Sequence, residues 1–415
     1  MIFTIVFSLA ILFTTITTID FNQTADALQP KDDETQCREG QILVFRTIAN
    51  DYVCVSESTA ERWVELGIAE IVGQEVHEET MEEETVDDSM EEGTMGDTTD
   101  TRMEETMVEM KIHPEKMTSS APLPDTAKGP VIDFTKGYLV EEIKDGLYWV
   151  TDGAYNTIFL TTGEGVIVVD APPSIGENYL NAIAEVTEEP ITHVIYSHTH
   201  IDHIGAASIF PDDAIIISHK DVALELEQRN DPNRPIPEVT FDDEYLLEVG
   251  NQSLELKYDG PMHVPGNIFI YAPQQKVLMV VDVIFPGWTP FKDLAMAQDV
   301  PAFLDAHDKI LEYDFDTYVG GHLTRLGTTE DVKIQQEYFQ DIEENAAIAN
   351  QQVSFMEIGQ EVGFENPWLV FQIYADTITQ QCTDATVPDW IDRLGGVDLF
   401  TYDHCWKISE SQRID

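Results

Sequence analysis

The run from His198 to His203 places three histidines and one aspartate within six residues. His198 and His200 are two residues apart at the end of a predicted strand, so their side chains point the same way. Asp202 and His203 follow on the turn into the next predicted helix. Such a cluster needs a divalent cation to neutralise and organise it, and mixed nitrogen and oxygen ligation suits zinc, with iron or manganese as alternatives. The run therefore predicts a metal site at a sheet edge.

Three further candidate ligands each follow a strand-like run later in the chain. His263 comes after the run Ser253–Tyr258 and is followed by Gly266, which lets the backbone pass close by. The other two are Asp282, directly after the apolar run 277–281, and His322, just past 317–320. We expect all of these loops to meet at the edge that carries the His198–His203 run.

Residues 131–328 are predicted to form the domain that holds this site. Meandering strands come first, then strands alternate with helices, and the second half of the segment repeats this order. The pattern is typical of an α/β (α+β) architecture with two mixed sheets and helices outside.

The candidate ligands, in this order, resemble the metallo-β-lactamase-fold superfamily. The matching elements are Val168-Val169-Asp170, His198-x-His200-x-Asp202-His203, His263, Asp282 and Gly321-His322. The resemblance implies a four-layer αβ/βα sandwich with two divalent metal ions per chain. The resemblance implies that metal 1 is bound by His198, His200 and His263, and that metal 2 is bound by Asp202, His203 and His322. It also implies that Asp282 bridges the two metals. Asp170 would be a nearby carboxylate that orders the metal-binding loop.

Asp282 also indicates a branch of this superfamily. Antibiotic-hydrolysing members typically have Cys or Ser at the bridging position, whereas glyoxalase II, lactonases and related hydrolases resemble this chain in having Asp. The following segment 285–292 contains a single lysine and so lacks the basic glutathione-binding character of glyoxalase II. Phe285 stands where lactonases of this fold often have Tyr. Two interpretations fit the aromatic residues of this segment equally well: they line a pocket for the acyl group of a substrate, or they belong to the hydrophobic core. These residues are Phe285, Trp288 and Phe291.

The resemblance implies a hydrolase that cleaves an ester, thioester, lactone or amide bond of a small molecule. A hydroxide that bridges the metals would attack the carbonyl, with Asp202 and Asp282 as catalytic residues. One alternative is a mononuclear iron enzyme similar to the persulfide dioxygenases, with His198, His263 and Asp282 as its facial triad. Another is a surface binding protein whose metal site is structural.

The chain is strongly acidic, with 22 Lys and Arg residues against 78 Asp and Glu residues and a formal net charge of −56. Binding to a nucleic acid needs a basic protein surface, so nucleic-acid partners are excluded.

Acidic residues are densest from Glu75 to Met110, where Arg102 is the single basic residue. We expect residues 75–125 to be a disordered linker.

The N-terminus indicates export. Residues 2–19 are uncharged and largely apolar, and Ala25-Asp26-Ala27 matches a cleavage site, which predicts a signal peptide over 1–27. No basic residue precedes Lys31, so an uncleaved membrane anchor is the alternative. Either way we expect a secreted or extracytoplasmic protein. The sequence carries no indication of oligomeric state.

An exported location makes disulfides the default for the four cysteines. Cys37 and Cys54 bracket two predicted strands within a small hairpin-helix module, residues 32–74. Cys382 and Cys405 lie in the C-terminal extension, residues 329–415, which is predicted to be mainly helical. We expect each pair to form one disulfide. The alternative for the second pair, a metal site with His404, lacks an evident fourth ligand.

Overall fold

The structure is a computed structural model that describes residues 41–46, 51–56, 60, 69–71 and 121–415. The chain divides into two compact units, Met1–Thr106 and Met107–Asp415. The predicted signal peptide and nearly all of the predicted linker lie outside the described residues. Within the described ranges, no helix is long and apolar enough to cross a membrane.

The N-terminal unit contains a three-stranded antiparallel sheet. Its strands are β1 (Gln41–Arg46), β2 (Asp51–Ser56) and β3 (Ala69–Ile71), in the order β2-β1-β3. β1 and β2 form a hairpin, and β3, which the sequence analysis missed, pairs with the other edge of β1. Cys37 is outside the described residues, so its disulfide with Cys54 stays a prediction.

The second unit is built on two mixed sheets. The first has the order β10-β9-β8-β7-β6-β5-β4, antiparallel from β4 to β7 and parallel from β7 to β10. Its strands are β4 (Leu139–Lys144), β5 (Leu147–Thr151), β6 (Asn156–Thr161), β7 (Val166–Val169), β8 (Ile191–Ile195), β9 (Ile215–His219) and β10 (Val239–Phe241). The three-residue strand β10 was not predicted.

The second sheet has the order β11-β12-β13-β14-β15, with one parallel pair, β14 and β15. Its strands are β11 (Glu244–Val249), β12 (Gln252–Lys257), β13 (Phe269–Ala272), β14 (Val277–Met279) and β15 (Thr317–Val319).

Both faces of the first sheet are buried at its central strands, whose side chains point alternately to the two faces. Ile167 and Val169 of β7 pack in the core between the two sheets, whereas Val166 and Val168 pack against outer helices. These helices are α1 (Asn178–Val186), α2 (Ile201–Ile204) and α3 (Lys220–Arg229). Fully buried strands of this kind appear in sequence as continuous apolar runs.

Helices from the last third of the chain cover the outer face of the second sheet. They are α4 (Val300–Leu311), which precedes β15, and α5 (Thr329–Gln352), α7 (Pro367–Trp390) and α8 (Val397–Ile414), which follow it. The short helix α6 (Phe355–Val362) packs against α7. Leu278 of β14 shares one core cluster with Phe303 of α4, Phe339 of α5 and Ile408 of α8. The helix, sheet, sheet, helix order confirms the predicted four-layer αβ/βα sandwich.

The predicted Cys382–Cys405 disulfide is present and joins α7 to α8, with the two Cα atoms 5.9 Å apart. Both cysteines are buried in the core cluster. His404 is also buried, and its Nδ1 lies 2.9 Å from the Tyr338 hydroxyl oxygen. The alternative interpretation of these residues as a metal site is therefore wrong.

Candidate metal centre

The structure brings all seven candidate ligands to one edge of the sandwich. The loop after β8 carries His198 and His200, and α2 carries Asp202 and His203. The others lie on the β12–β13 loop and just after β14 and β15. Within each of two groups, the ligand atoms lie within 4.8 Å of one another; the groups are His198, His200, His263 and Asp282, and Asp202, His203 and His322.

The Asp282 carboxylate faces both groups. Its Oδ1 lies 3.1 Å from Nε2 of His322 in the second group. Its Oδ2 lies 3.2 Å from Nε2 of His203, 3.5 Å from Nε2 of His263 and 3.6 Å from Nε2 of His198. Asp282 is 1% exposed, so solvent does not compete for these oxygens. One carboxylate is thus shared by the two imidazole groups.

The spacing of the ring nitrogens fits divalent cations. Nε2 of His263 lies 3.2 Å from Nδ1 of His200, and Nε2 of His203 lies 3.1 Å from Nε2 of His322. Zinc–nitrogen bonds of 2.0–2.1 Å in a tetrahedron place neighbouring ligand atoms about 3.3 Å apart. In addition, Nε2 of His198 is buried without a hydrogen-bond partner among the described residues. The chemistry and spacing of these donors fit a divalent-metal site.

The protonation states of the first group suit metal binding, which needs neutral imidazole. Burial lowers the pKa of His263 to about 4 and holds the pKa of His198 well below its usual value. Burial also opposes ionisation of Asp282, but the neighbouring His203 and His322 hold the pKa of that carboxyl well below its usual value. The carboxylate is therefore ionised.

His203 differs because of the carboxylates around it. Burial lowers the pKa of its imidazole, but the Asp282 and Asp202 carboxylates outweigh burial and raise the pKa to about 9. This part of the centre therefore attracts positive charge, which a proton or a divalent cation can supply.

Asp170 acts on the metal loop through Ser197. The Asp170 carboxylate accepts hydrogen bonds from the backbone N–H and the hydroxyl of Ser197, both at 2.7 Å. The Ser197 oxygen lies 3.0 Å from Nδ1 of His198. Because the Ser197 proton is directed to Asp170, Nδ1–H of His198 donates to Ser197, and Nε2 keeps its lone pair towards the centre. Such hydrogen bonds fix the tautomer of a metal-ligating histidine.

Tyr155 covers the second group, and the sequence analysis did not single it out. Its ring centroid lies 4.6 Å from that of His322, and its hydroxyl donates to Oδ2 of Asp202 at 3.4 Å. The Asp152 carboxylate fixes the turn by accepting the backbone N–H of Ala154 and that of Tyr155. Burial, followed by the Asp202 charge, raises the pKa of Tyr155 to about 12, so its hydroxyl stays protonated.

Two further residues, which the sequence analysis did not identify, donate hydrogen bonds to the backbone of the loops that carry candidate ligands. The buried Arg234 guanidinium donates to the carbonyl oxygen of Thr199, between His198 and His200, at 2.7 Å. The backbone N–H of Gln298 donates to the carbonyl oxygen of His263 at 2.9 Å. Neither residue belongs to a local motif, so no signal in the sequence pointed to it.

The aromatic residues after Asp282 separate into two roles. Phe285 and Phe291 lie against His322, with ring centroids 5.8 Å and 5.6 Å from the imidazole. Trp288 instead packs at Gly395, where an added Cβ would meet its ring at 2.5 Å. Its Nε1–H donates to the carbonyl oxygen of Ala127 at 2.9 Å. Trp288 is therefore a packing residue, and the two phenylalanines border the second group.

The model of the metallo-beta-lactamase superfamily matches residues 150–322, which include every candidate ligand. Over this segment the chain is similar to the metallo-beta-lactamase superfamily. The chain is also similar to the metallo-beta-lactamase from Pontibacter korlensis, with 19% sequence identity and a TM-score of 0.42 over 48% of this chain and 97% of that one.

Two relatives of this chain are named for different reactions. The 2,4-dinitroanisole O-demethylase subunit alpha of Nocardioides sp. (strain JS1661) is 28% identical over 209 residues, which are 49% of this chain. The metallo-beta-lactamase type 2 of Elizabethkingia meningoseptica is 28% identical over 159 residues, which are 36% of this chain. This chain covers 63% of the length of each relative. The superfamily match and the His/Asp cluster together indicate that this segment binds divalent metal.

Proposed function

We propose that the protein is an exported hydrolase that holds two divalent metal ions, with zinc as the expected metal, and cleaves an ester, thioester, lactone or amide bond of a small molecule. The position of Asp282 carries the proposal. Its Oδ1 lies 3.1 Å from Nε2 of His322, and its Oδ2 lies between the groups, 3.2 Å from Nε2 of His203 and 3.5 Å from Nε2 of His263. A carboxylate shared in this way is what a pair of cations needs in order to be held close together.

His198, His200 and His263 would hold one divalent cation and Asp202, His203 and His322 the other; such cations would lower the pKa of water and polarise a carbonyl oxygen. Asp282 fixes the spacing of the two groups, and its ionised carboxylate orients the attacking water. Tyr155 donates a hydrogen bond to a substrate oxygen as that oxygen gains charge, because its hydroxyl is protonated and its bond to Asp202 is long at 3.4 Å. Phe285 and Phe291 exclude water from the side of His322.

The rival proposal is an iron-dependent persulfide dioxygenase that uses His198, His263 and Asp282 alone. Asp202, His203 and His322 would then have no metal to bind. Their ligand atoms nevertheless lie within 4.8 Å of one another. That second group supports the dinuclear hydrolase.

The test is to prepare the metal-free full-length protein and load it separately with Zn²⁺, Mn²⁺ and Fe²⁺. Each form is assayed against a p-nitrophenyl ester, a thioester, a γ-lactone and a β-lactam. 2,4-Dinitroanisole joins the panel because the Nocardioides relative is named for it. Oxygen uptake with glutathione persulfide tests the rival, and Asp282→Asn is the matched control for contaminating hydrolases.

We expect turnover of at least one ester, thioester, lactone or amide by the zinc form, and loss of that turnover in Asp282→Asn. Oxygen uptake that requires iron, together with no hydrolysis by any form, would establish the dioxygenase instead. No turnover of any kind by a fully metal-loaded protein would favour a binding protein with a structural metal site.

A further inference from the structure

A buried glutamine outside the superfamily match contacts the loop that carries Asp282. Gln335 lies on α5 and is 1% exposed. Its Oε1 accepts the backbone N–H of Phe285 at 2.9 Å, and its Nε2 donates to the carbonyl oxygen of Val283 at 2.8 Å. One side-chain amide thus holds the backbone on both sides of Ile284, directly after Asp282.

His307 of α4 completes the hydrogen bonds of this amide. Nδ1–H of His307 donates to the carbonyl oxygen of Leu304 at 3.0 Å, so its Nε2 accepts a hydrogen bond. Nε2 of Gln335 lies 3.0 Å from that nitrogen and supplies it. If the amide were flipped, its NH₂ group would face the backbone N–H of Phe285, so that two donors would oppose each other. The carbonyl oxygen of Val283 and Nε2 of His307 would then lack a hydrogen-bond donor. The orientation of Gln335 is therefore fixed.

The backbone at Asp282 needs such support. Asp282 has a φ of 63°, in the left-handed region that residues other than glycine adopt only occasionally. Strained residues persist where the surrounding structure over-determines them, and they cluster at functional sites. The Asp282 carboxylate also lies 3.1–3.6 Å from imidazole nitrogens of both groups. A small rotation of this backbone would move both carboxylate oxygens out of reach at once.

We propose that Gln335 is a positioning residue for the metal centre: it holds turn 283–285 so that the Asp282 carboxylate bridges both ligand groups. The inference rests on the proposed metal site, and it extends that site beyond residues 150–322. The helical C-terminal part of the chain then contributes to metal binding without supplying a ligand.

The test uses two variants at Gln335 and one control on the same helix. Gln335→Met removes all three hydrogen bonds at similar volume, and Gln335→Glu keeps the acceptor for Phe285 but loses the donor to Val283. Asn345→Leu is the control, because the Asn345 amide donates to Thr386 on α7 at 3.0 Å, away from the Asp282 loop. Zn²⁺ affinity and stoichiometry are measured by calorimetry on the metal-free full-length proteins, with urea unfolding in parallel. Visible spectra of the Co²⁺ forms report coordination geometry.

We expect Gln335→Met to weaken Zn²⁺ binding about 10- to 100-fold, the range for partners that orient metal ligands. Gln335→Glu should fall between Gln335→Met and the wild type. The Co²⁺ spectrum should change in both, whereas Asn345→Leu should lower only the urea midpoint and keep the wild-type spectrum and affinity.

Several results would overturn the inference. Wild-type Zn²⁺ affinity in either folded Gln335 variant rejects it and leaves the proposed function standing. Equal losses of affinity in Gln335→Met and Asn345→Leu also reject it, because a general loosening of α5 would then explain both. A wild-type protein that binds no Zn²⁺ rejects both the inference and the proposed function. If Gln335→Met does not fold, the Gln335→Glu comparison decides.

Discussion

The hydroxyl of Tyr155 donates a hydrogen bond to Oδ2 of Asp202 at 3.4 Å. The Tyr155 turn is joined to the His322 loop by backbone hydrogen bonds, including one from the N–H of Asn156 to the carbonyl oxygen of Gly321 at 3.0 Å. This pairing fixes the tyrosine over the second ligand group. A long hydrogen bond to a ligand carboxylate leaves the hydroxyl able to turn towards a substrate oxygen.

Tyr155→Phe is expected to lower kcat of the zinc form about ten- to hundredfold, because a hydrogen bond to a charged group contributes about 1.5–3 kcal/mol. KM and the bound metal should change little, since the phenyl ring still packs on His322. Steady-state kinetics and elemental analysis measure these effects. Tyr148→Phe is the matched control, because Tyr148 stacks on Phe159 within the fold, at a centroid distance of 5.0 Å. Equal activity of Tyr155→Phe and Tyr148→Phe would argue against the role of the hydroxyl.

We predict two divalent metal ions per reconstituted chain, because seven ligands are too many for one tetrahedral zinc. His263→Ala should empty the first group, and His322→Ala should weaken the second, so that each variant keeps about one metal ion. Elemental analysis after removal of excess zinc measures the ratio. His193→Ala, on β8 but outside both groups, is the control. A wild-type ratio of one or less would contradict the prediction.

The gathering of the candidate ligands at one edge was predictable because each of them follows a strand within a short local pattern. Most strands of the sandwich were predictable for a similar reason, since runs such as Val166–Val169 are buried on both faces and contain only apolar residues. The end of a strand and the type of the residue after it can both be recognised in the amino-acid sequence. That information was enough to predict that seven side chains lie at one edge of the sandwich.

The residues that hold these ligands were not predictable. Gln335 is 50 positions from Phe285 in sequence, and Arg234 is 35 positions from Thr199. Buried Gln and Arg of this kind are distinguished from surface residues only by the tertiary fold. Recognition of the superfamily did not help with Gln335, which lies beyond the matched segment.

The backbone conformation of one short segment also differs from the one that its residue types prefer. Residues Asp293 to Ala295 have φ values of 55–59° and form a left-handed turn, although none of them is glycine. The side chains of Leu294 and Ala295 are fully buried in the turn. Tertiary packing therefore outweighs the intrinsic preference of these residues for right-handed backbone, and sequence propensity points the wrong way here.

The Cys382–Cys405 disulfide is expected to stabilise the protein by about 3 kcal/mol, given the sequence separation of 23 residues between its ends. The double variant Cys382→Ala/Cys405→Ala should lower the free energy of unfolding by this amount, as measured in urea. A reductant should lower the stability of the wild type towards that of the variant, in which only the predicted Cys37–Cys54 bond remains to be reduced. Equal urea midpoints for oxidised wild type and variant would contradict the prediction.

Acid is expected to destabilise the protein through its buried neutral histidines. Burial lowers the pKa of His404 to about 4, with the backbone carbonyls of Phe291 and Pro290 opposing the shift. Below about pH 6.5 the unfolded chain binds a proton at this position, whereas the folded protein does not bind one until about pH 4. Stability is therefore fully present above pH 6.5 and is lost as the pH falls towards 4. The loss is about 1.4 kcal/mol per pH unit and about 3 kcal/mol in total.

The measurement is urea unfolding of the metal-free protein from pH 4.5 to 7.5, compared between wild type and His404→Gln. The glutamine side chain does not titrate, so the variant should be less stable at pH 7.5 but should lose about 1.4 kcal/mol less per pH unit on acidification. His193→Gln is the control, because His193 is only half-buried on β8 and should change the slope less. Because both proteins keep the same metal-site residues, titration of that cluster cancels in the comparison. Parallel pH profiles for wild type and His404→Gln would show that His404 is not held neutral in the folded protein.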